Sequence, residues 1–285
     1  MTRTSALASV VVPAHNEAAV IGRCLDSLLD GFKPGELQVV VACNGCTDGT
    51  ADIVRSSGHD VRVIEVTTAS KVAALRAADE ILSTFPRIYL DADVVLAGTA
   101  ARRVINELRI GGSLVARPPI EYDTNRSSLL VRSYYRARIR VPSVMNAVWG
   151  AGMYGLSAAG RSRFGAYPDV VADDFFVDQH FRRAEIKIVD APPVVVGAPR
   201  RTADLMRILR RTYQGNSEIR LLPDRSAQET ETTPSTVRAL VRVAIAEPLR
   251  AVDVALYMAL AVYARVSLSI VAPRGWERDD GSRAV

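Results

Sequence analysis

Ser9-Val10-Val11-Val12-Pro13 is a short, apolar run that is rich in β-branched residues. Such a run is typical of a strand that is buried on both faces of a parallel sheet. The next segment contains Asn16, which can cap a helix, and carries apolar residues at helical spacing as far as Leu29. Gly31 and the pair Pro34-Gly35 then break the helix. The run therefore predicts the first strand of an alternating α/β chain.

The alternation continues through three more strands. The sequence predicts strands at 37–42, 61–66 and 87–90, with helices at 48–57 and 70–82 between them. This order indicates an α/β fold with a mostly parallel central sheet and helices on both faces. Right-handed crossovers place the loops that follow the strands along one edge, where such sheets bind ligands. Polar residues just after each strand are therefore candidates for one site.

Beyond Gly98 the pattern is less regular. It predicts further helices at 100–110, 126–140 and 174–184, and strands at 113–117, 150–156, 187–190 and 194–197. From Arg201 onward the pattern is helical, with a polar break at 223–234. We therefore expect an α/β unit over residues 1–200 and a helical C-terminal extension over residues 201–285.

The composition is that of a globular protein, with 285 residues, 48% of them hydrophobic and 24% charged. The formal net charge of +5 suits anionic ligands such as nucleotide phosphates, or an anionic membrane surface. Nucleic acid is not expected as a partner, because no basic run is interleaved with aromatic residues. The CxxC pair of Cys43 and Cys46 lacks the context of a redox motif. The short apolar N-terminal stretch has no cleavage region, so we expect a cytoplasmic location.

Two carboxylates follow the fourth predicted strand. Asp91 and Asp93 stand at positions i and i+2, directly after Ile88-Tyr89-Leu90. Carboxylates so placed can converge on one hard cation, or on a cation and a ribose hydroxyl. Mg²⁺ or Mn²⁺ held in this way keeps open positions for diphosphate oxygens and neutralises the charge that develops on a leaving diphosphate. Two aspartates in a loop are more often a solvated turn or a helix cap, but the position at a strand end favours a metal site.

Five short motifs occur in order between residue 9 and about residue 182. They are Val10 to Glu17 (VVVPAHNE), Asn44 to Thr50 (NGCTDGT), Lys71 before an Ala-rich helix, Asp91 with Asp93, and the acidic pair Asp173-Asp174. Together they resemble the inverting family 2 glycosyltransferases, which have the GT-A fold. The resemblance implies a hexosyltransferase-type enzyme that uses Mn²⁺ or Mg²⁺ and moves a sugar from a nucleotide-diphosphate donor to an acceptor hydroxyl, in glycan or glycolipid biosynthesis.

The resemblance assigns chemical roles to two acidic pairs. Asp174 would deprotonate the acceptor hydroxyl as it attacks the anomeric carbon, with Asp173 as its supporting neighbour. A second acid nearby and partial burial can raise the pKa of such a base toward the working pH. Asp93 would ligate the metal, and Asp91 would lie near both the ribose and the metal. Without the upstream motifs, Asp173-Asp174 would be read as an acidic helix start.

The resemblance also implies where the substrates bind. The small residues Gly150 and Gly152 would let the backbone approach the sugar and the acceptor closely. Cys43 stands where many relatives have an aspartate that bonds the uracil ring, and His15 replaces an aromatic residue, so UDP, GDP and TDP all stay open as the donor nucleotide. The acceptor is not specified and a lipid-linked one is included. The residues expected to bind the donor are Pro13, Ala14, His15, Glu17, Cys43, Asn44, Lys71, Asp91 and Arg211. For Arg211 a solvated basic helix face is the alternative, because the Arg-Trp motif of many relatives lacks its Trp here.

Other functions fit part of the pattern. A sugar-1-phosphate nucleotidyltransferase also joins an α/β sheet, a metal and a nucleotide, but it needs a Gly-rich phosphate loop where this chain has His15-Asn16-Glu17. A non-catalytic nucleotide-sugar-binding protein would have no need of Asp174. A retaining glycosyltransferase on the same fold is a further alternative within the enzyme class. Product analysis separates these three from the inverting enzyme.

The segment 249–272 is rich in Leu, Val, Ala and Tyr, and Arg250, Asp253 and Arg265 are its only charged residues. The uncharged run between Asp253 and Arg265 has 11 residues, whereas a membrane span needs about 20. We therefore expect peripheral contact with the inner face of the membrane, or packing or a homodimer through residues 235–272. Lipid-linked acceptors, which are common in the family that the chain resembles, favour the membrane.

Overall fold

A computed structural model describes residues 6–220 and 233–270. Predictions for 1–5, 221–232 and 271–285, which include most of the polar break, lie outside the described residues. The described chain forms nine strands: β1 Ala8–Ala14, β2 Leu37–Asn44, β3 Val61–Val66, β4 Arg87–Leu90, β5 Val115–Arg117, β6 Ile120–Asp123, β7 Met153–Leu156, β8 Ile186–Ile188 and β9 Val194–Gly197. Its α-helices are α1 Ile21–Leu29, α2 Thr50–Ser56, α3 Lys71–Ile81, α4 Gly98–Ile110, α5 Leu129–Arg138, α6 Pro142–Met145, α7 Ala158–Arg161, α8 Asp173–Asp178, α9 Thr202–Arg220, α10 Thr233–Ala246 and α11 Ala251–Ile270.

The central sheet has seven strands in the order β3-β2-β1-β4-β7-β5-β8. Strand β7 runs antiparallel to both of its neighbours, and every other pair in this sheet is parallel. The predicted mostly parallel sheet is confirmed. Strand β6 was not predicted, and it pairs in parallel with β9 to form a second, two-stranded sheet. The helix predicted at 174–184 is too long, because α8 ends at Asp178 and a 3₁₀ turn follows at Arg183–Glu185.

Buried side chains of β1 alternate between the two faces of the sheet, as they must in an extended strand. Val10 and Val12 belong to a core that contains Leu25 of α1 and Ile105 of α4. Val11 belongs to a second core on the opposite face, together with side chains of α3 and α8. Helices therefore cover both faces, as predicted. The strands β1, β2 and β4 are mutually parallel, so their carboxyl ends meet at one edge.

The C-terminal helices pack on α5. Leu205 and Leu209 of α9 share a buried cluster with Tyr134 of α5 and Tyr257 of α11. The rings of Tyr134 and Tyr257 stack with their centroids 4.8 Å apart. The predicted helical extension is confirmed, and it is joined to the α/β part by a shared core. The boundary at residue 200 stays a prediction.

Helix α11 has one packed side and one open side. By length and composition alone, residues 248–268 could cross a membrane, with a mean hydropathy of 1.5. The side that carries Asp253, Tyr257 and Ala264 is buried against α5 and α9. The opposite side shows Val252 and Val262, which are 75% and 55% exposed. Peripheral membrane contact without a span stays a prediction.

Asp253 anchors α11 on α5. Its carboxylate accepts hydrogen bonds from Ser133 Oγ at 2.5 Å, from Arg136 Nη2 at 2.6 Å and from Arg136 Nε at 2.9 Å. The bond from Arg136, helped by that from Ser133 against the opposing effect of burial, holds the pKa of Asp253 at about 2. The anchor is therefore a charged group with specific partners inside an otherwise apolar contact.

We expect Asp253→Asn to lower the free energy of unfolding by about 1–3 kcal/mol, the order that hydrogen bonds to charged groups contribute. The folded-state pKa lies below the unfolded value, so this stabilisation is present above the unfolded pKa and is lost as pH falls toward about 2. In urea titrations, the difference between wild type and variant should shrink between about pH 5 and pH 2. The exposed Asp190→Asn serves as the control. A difference that stays constant over this range would contradict the assignment.

Candidate active site

The polar residues at the strand ends gather in one cavity of about 450 Å³. Loops after β1, β2 and β4 and the start of α8 form one end, and α5, α9 and α11 form the other. Most of the site residues predicted from the sequence come from separate loops, and the fold brings them together in this cavity. Those that line the cavity are Pro13, His15, Glu17, Asn44, Lys71, Asp91, Asp93, Gly150, Gly152, Asp173, Asp174 and Arg211.

Ala14 and Cys43 do not line the cavity, contrary to expectation. Both are buried in the core on the α1 side of the sheet. Side-chain alternation along a strand explains the difference, because Pro13 faces the cavity and Ala14 must then face the opposite way. Ala14 contributes through its backbone, since its carbonyl accepts a hydrogen bond from Asn44 Nδ2 at 3.0 Å.

A hydrogen bond to the backbone orients His15 at the strand-end side of the cavity. Its Nδ1 lies 2.5 Å from the carbonyl oxygen of Asn44. A carbonyl oxygen only accepts, so Nδ1 is the donor in this bond. The neighbouring Asn16 has a φ of 54°, and its Oδ1 accepts a hydrogen bond from the backbone N–H of Thr47 at 2.7 Å. The loops after β1 and β2 are thus tied together.

Lys71 joins two of the predicted acids. It is the first residue of α3, and its Nζ lies 2.6 Å from Asp91 Oδ1 and 2.8 Å from Asp173 Oδ1. Burial acts to lower the pKa of Lys71, but the carboxylates of Asp173 and Asp91 raise it, and the net direction is upward. The ammonium group therefore stays charged. It neutralises part of the acidic cluster and fixes Asp91 opposite Asp173.

The adjacent acids at the start of α8 have different surroundings. Asp173 is 2% exposed, and burial raises its pKa to about 6 against the opposing attraction of Lys71. Asp174 is half-buried and lines the cavity. Its Oδ2 accepts a hydrogen bond from the backbone N–H of Gly150 at 2.7 Å. Asp173 is thus an internal ion-pair partner of Lys71, and Asp174 lies where a ligand in the cavity could contact it.

The loop before β7 needs its glycines. Gly150 and Gly152 have φ values of 78° and 63°, in the left-handed region. A Cβ on Gly152 would also lie 2.5 Å from Val94 Cγ1. The buried Asp178 holds the start of this loop, because its Oδ1 accepts a hydrogen bond from Val148 N at 2.7 Å. Sequence analysis missed Asp178, which looked like an ordinary helical acid.

The carboxylates that line the cavity fit a cation that arrives bound to a diphosphate. Within residues 6–220 and 233–270, no group of three or more His, Cys, Asp or Glu side chains is placed to hold a metal. Mg²⁺ is usually bound by one or two carboxylates, completed by water and substrate phosphates. Asp91 and Asp93 both line the cavity and can supply such carboxylates. The residues present therefore suit a shared metal–diphosphate site and not a closed protein cage.

The far end of the cavity was also missed. We call it the aromatic chamber, defined by Tyr122, Tyr134, Trp149, Tyr213, Tyr257, Arg138 and Arg265. These residues come from β6, α5, the loop before β7, α9 and α11. The sequence held one signal, the pair Tyr134-Tyr135 within an Arg-rich helix. Helical spacing alone does not show that α9 and α11 fold back over that helix.

A family model agrees with this geometry. The model for glycosyl transferase family 2 matches residues 9–158, more than half of the chain. The chain belongs to glycosyl transferase family 2. The matched stretch contains β1 to β4 and the candidate metal ligands Asp91 and Asp93. Family membership confirms the resemblance and the enzyme class that the sequence predicted.

Solved structures confirm the GT-A fold of the family 2 chain. A mannosyltransferase from Pyrobaculum calidifontis, solved in complex with GDP-Man and Mn²⁺, has a TM-score of 0.60 at 21% identity, over 94% of this chain and 84% of that one. Glucosyl-3-phosphoglycerate synthase from Mycobacterium tuberculosis, solved with Mn²⁺, UDP-glucose and phosphoglyceric acid, has a TM-score of 0.53 at 21% identity, over 76% of this chain and 80% of that one. At this identity the likeness shows the fold alone.

Two curated proteins resemble part of the family 2 chain. Validoxylamine A glucosyltransferase of Streptomyces hygroscopicus subsp. limoneus is 36% identical over 97 residues, which are 32% of this chain and 21% of that protein. Glycosyltransferase AglE of Haloferax volcanii is 38% identical over 63 residues, which are 21% of this chain and 21% of that protein. The matches thus span about a fifth of the length of these relatives.

Proposed function

We propose that the protein transfers a sugar from a nucleotide-diphosphate donor to an acceptor hydroxyl, with inversion at the anomeric carbon and with the help of Mn²⁺ or Mg²⁺. The observation that carries this proposal is that Asp174 lies in the same cavity as Asp91 and Asp93. A general base and candidate cation ligands in one cavity are what such a transfer needs. A nucleotide-binding protein without catalysis would not need the base.

The strand-end side of the cavity is the proposed donor site. The loops after β1 and β2 would hold the nucleotide, with His15 and Asn44 nearest its purine or pyrimidine ring. Asp91 and Asp93 would hold the cation, and Arg211 would approach the diphosphate from α9. When bound, the cation neutralises the charge that develops on the leaving diphosphate. Lys71 keeps Asp91 in place through its ion pair.

Asp174 is the proposed general base. Its bond from Gly150 N fixes one carboxylate oxygen, and the carboxylate takes the proton from the acceptor hydroxyl as the oxygen attacks. Attack on the face opposite the leaving diphosphate inverts the configuration. Asp173 would not take this proton, because it is buried and its Oδ1 is bound to Lys71. Its proposed role is to position Lys71 and the start of α8.

The direct test incubates the full chain with UDP-, GDP- and TDP-sugars and Mn²⁺. We expect one nucleotide class to raise the melting temperature, because ligands that bind the native state stabilise it. The same class should release nucleoside diphosphate slowly, and EDTA should stop the release. Pyrophosphorolysis in its place would indicate a nucleotidyltransferase, and binding without turnover would indicate a binding protein. The anomeric configuration of a product, read by NMR, decides between inversion and retention.

We also propose that the exposed face of α10 and α11 contacts an anionic membrane surface, with the protein on the cytoplasmic side. Ile245, Leu249 and Val252 are 75%, 95% and 75% exposed. Arg238 and Arg242 are exposed on α10. Apolar side chains flanked by cations are typical of helices that lie in a membrane interface. A lipid-linked acceptor would place the reaction at that surface.

Flotation with phosphatidylserine-containing liposomes tests this contact. We expect the full chain to float at low salt, and Leu249→Ser with Val252→Ser to weaken binding more than about tenfold, since each large apolar side chain contributes about 1.5–3 kcal/mol when buried. Ile110→Ser, at an exposed apolar position on α4, is the matched control. If the wild type stays in solution, the membrane contact is excluded. Sedimentation velocity then tests a homodimer through residues 235–272.

A further inference from the structure

The two ends of the cavity carry opposite charge. Its five acidic residues all lie on the strand-end side: Glu17, Asp91, Asp93, Asp173 and Asp174. Two of its cations are neutralised within the protein, since Lys71 is paired with Asp91 and Asp173, and Arg183 is paired with Asp178. Arg211 of α9 is the cation proposed above for the diphosphate, and the remaining two, Arg138 and Arg265, belong to the aromatic chamber. The chamber is therefore the place to look for positive charge that a ligand could use.

Arg138 has only neutral partners among the described residues. Its Nε donates to Tyr122 Oη at 3.1 Å, and its Nη1 donates to Tyr134 Oη at 3.5 Å. Its guanidinium lies 5.5 Å from the ring centroid of Trp149. No carboxylate in the described part of the chain lies within 4.0 Å of it. These contacts use two of the five N–H donors of an arginine and leave its charge uncompensated.

Arg265 gives the chamber a second such cation. Its guanidinium lies 4.6 Å from the ring centroid of Tyr213, and it too has no carboxylate within 4.0 Å among residues 6–220 and 233–270. Unlike Arg138 it is exposed, at the outer rim of the chamber. Two arginines on aromatic faces therefore line a space whose other walls are phenol and indole rings.

Arg138 also lies beside the proposed base. A Cβ built on Gly150 would be 3.0 Å from Arg138 Nη2, so this nitrogen borders the loop whose N–H holds Asp174. Tyr122 links the same groups, since its Oη donates to the Gly150 carbonyl at 3.2 Å and accepts from Arg138. A ligand group on Arg138 would therefore have its neighbouring atoms close to Asp174.

The chemistry of the chamber selects an oxyanion. An arginine cannot lose its proton, so a half-buried guanidinium without a carboxylate attracts an anion. Its planar fork matches the paired oxygens of phosphate and carboxylate groups. The aromatic walls restrict water, which strengthens the attraction. The acidic end of the cavity, by contrast, would repel an anion that arrives without a cation.

We propose that the acceptor carries an oxyanion, a phosphate or a carboxylate, which binds Arg138 in the aromatic chamber while the acceptor hydroxyl reaches Asp174. This inference rests on the proposed glycosyl transfer and names the class of acceptor for it. The oxyanion belongs either to a water-soluble acceptor or to the head of a lipid-linked one, and Arg138 would contact both in the same way.

The test uses the full chain saturated with Mg²⁺ and the nucleoside diphosphate that stabilises it best, so that the donor site is filled. Calorimetry then compares glycerol 3-phosphate with glycerol, in which a third, uncharged hydroxyl stands in place of the phosphate. We expect glycerol 3-phosphate to bind and glycerol not to bind. Arg138→Gln should weaken it about 10- to 100-fold, as expected for the loss of a charge-assisted hydrogen bond.

Further variants separate recognition from folding. Arg138→Lys keeps the charge without the fork, so its affinity should fall between wild type and Arg138→Gln. Arg265→Gln changes an exposed side chain and should weaken binding by a smaller factor. Arg109→Gln removes the same charge from the exposed surface of α4 and should bind like wild type. Melting temperatures of all variants show whether each is folded.

Dodecyl phosphate in phosphatidylcholine vesicles represents the lipid source. Binding of this probe alone, lost in Arg138→Gln, would assign the oxyanion to a lipid-linked acceptor, whereas binding of glycerol 3-phosphate shows that a soluble one suffices. Binding of neither probe, or equal binding by wild type and Arg138→Gln, would overturn the proposal. Failure of the proposed function is a separate result, namely that no nucleoside diphosphate binds with Mg²⁺. The phosphate titration on nucleotide-free protein then still tests the chamber.

Discussion

Replacement of Asp174 by asparagine is expected to lower kcat for sugar transfer by about 10² to 10⁴, the usual contribution of a general base. The amide keeps the size of the carboxylate and can still accept the hydrogen bond from Gly150 N, but it cannot take the acceptor proton. Single-turnover measurements with saturating donor and metal would report this step directly. Nucleotide binding, followed by calorimetry, should persist.

Two companion variants make the result specific. Asp60→Asn changes an exposed carboxylate far from the cavity and should retain wild-type kcat. Asp173→Asn removes the partner of Lys71 and should act mainly through the geometry of the site. Equal kcat for Asp174→Asn and wild type would remove Asp174 as the base. If Asp173→Asn alone were inactive, the roles of the two acids would have to be exchanged.

Asp93→Ala is expected to weaken metal-dependent donor binding by at least about 10- to 100-fold, the loss that follows removal of even an outer-shell partner of a bound metal. The reason is the loss of one of two carboxylates in a site where the described protein offers no third. Calorimetric titration of the preferred donor, with Mn²⁺ and with EDTA, measures the metal-dependent part of the affinity. Excess Mn²⁺ should partly restore binding.

The comparison with Asp91→Ala separates the two acids. Asp91 is bound to Lys71, so its loss also frees an ammonium group next to Asp173. Asp91→Ala should therefore change both metal affinity and the position of Lys71, whereas Asp93→Ala leaves the pair of Lys71 with Asp91 in place. An unchanged metal-dependent affinity in Asp93→Ala would show that Asp93 is not a ligand.

Strands β1 and β2 could be predicted from the sequence because parallel strands buried on both faces are continuous apolar runs. The edge strand β3 has no buried residue, and its four Val and Ile residues, which favour strands, made it predictable. Asp91 and Asp93 could be placed at the ligand-binding edge because they follow the end of a strand. The pair Asp173-Asp174 at the start of α8 was identified through the resemblance to the family alone. Strand β6 could not be found, because Ile120–Asp123 has only four residues and follows two prolines. Its pairing with β9 depends on a chain segment some seventy residues later.

The basic residues of α5 show why the chamber was missed. Arg132 donates to backbone carbonyls, Arg136 pairs with Asp253, and Arg140, just beyond the helix, pairs with Glu247. Arg138 alone of these four lines the cavity. Their spacing in the sequence does not distinguish them, because each partner comes from a distant element. The buried position of Ala14 could have been predicted, since the alternation of side chains along a strand places Ala14 on the face opposite Pro13.

The C-terminal helices give the cavity a second wall that lies outside the stretch matched by the family model. A gene rearranged between β9 and α9 would exchange that wall while it left the strand-end loops intact. Chimeras made at this junction would keep Arg138 and Asp174 of one parent and take Tyr213, Tyr257 and Arg265 of the chamber from the other, so they would show how far this second wall sets acceptor preference. A graft that keeps a carboxylate at the position of Asp253 would dock more stably, because Arg136 and Ser133 of the host donate hydrogen bonds to it.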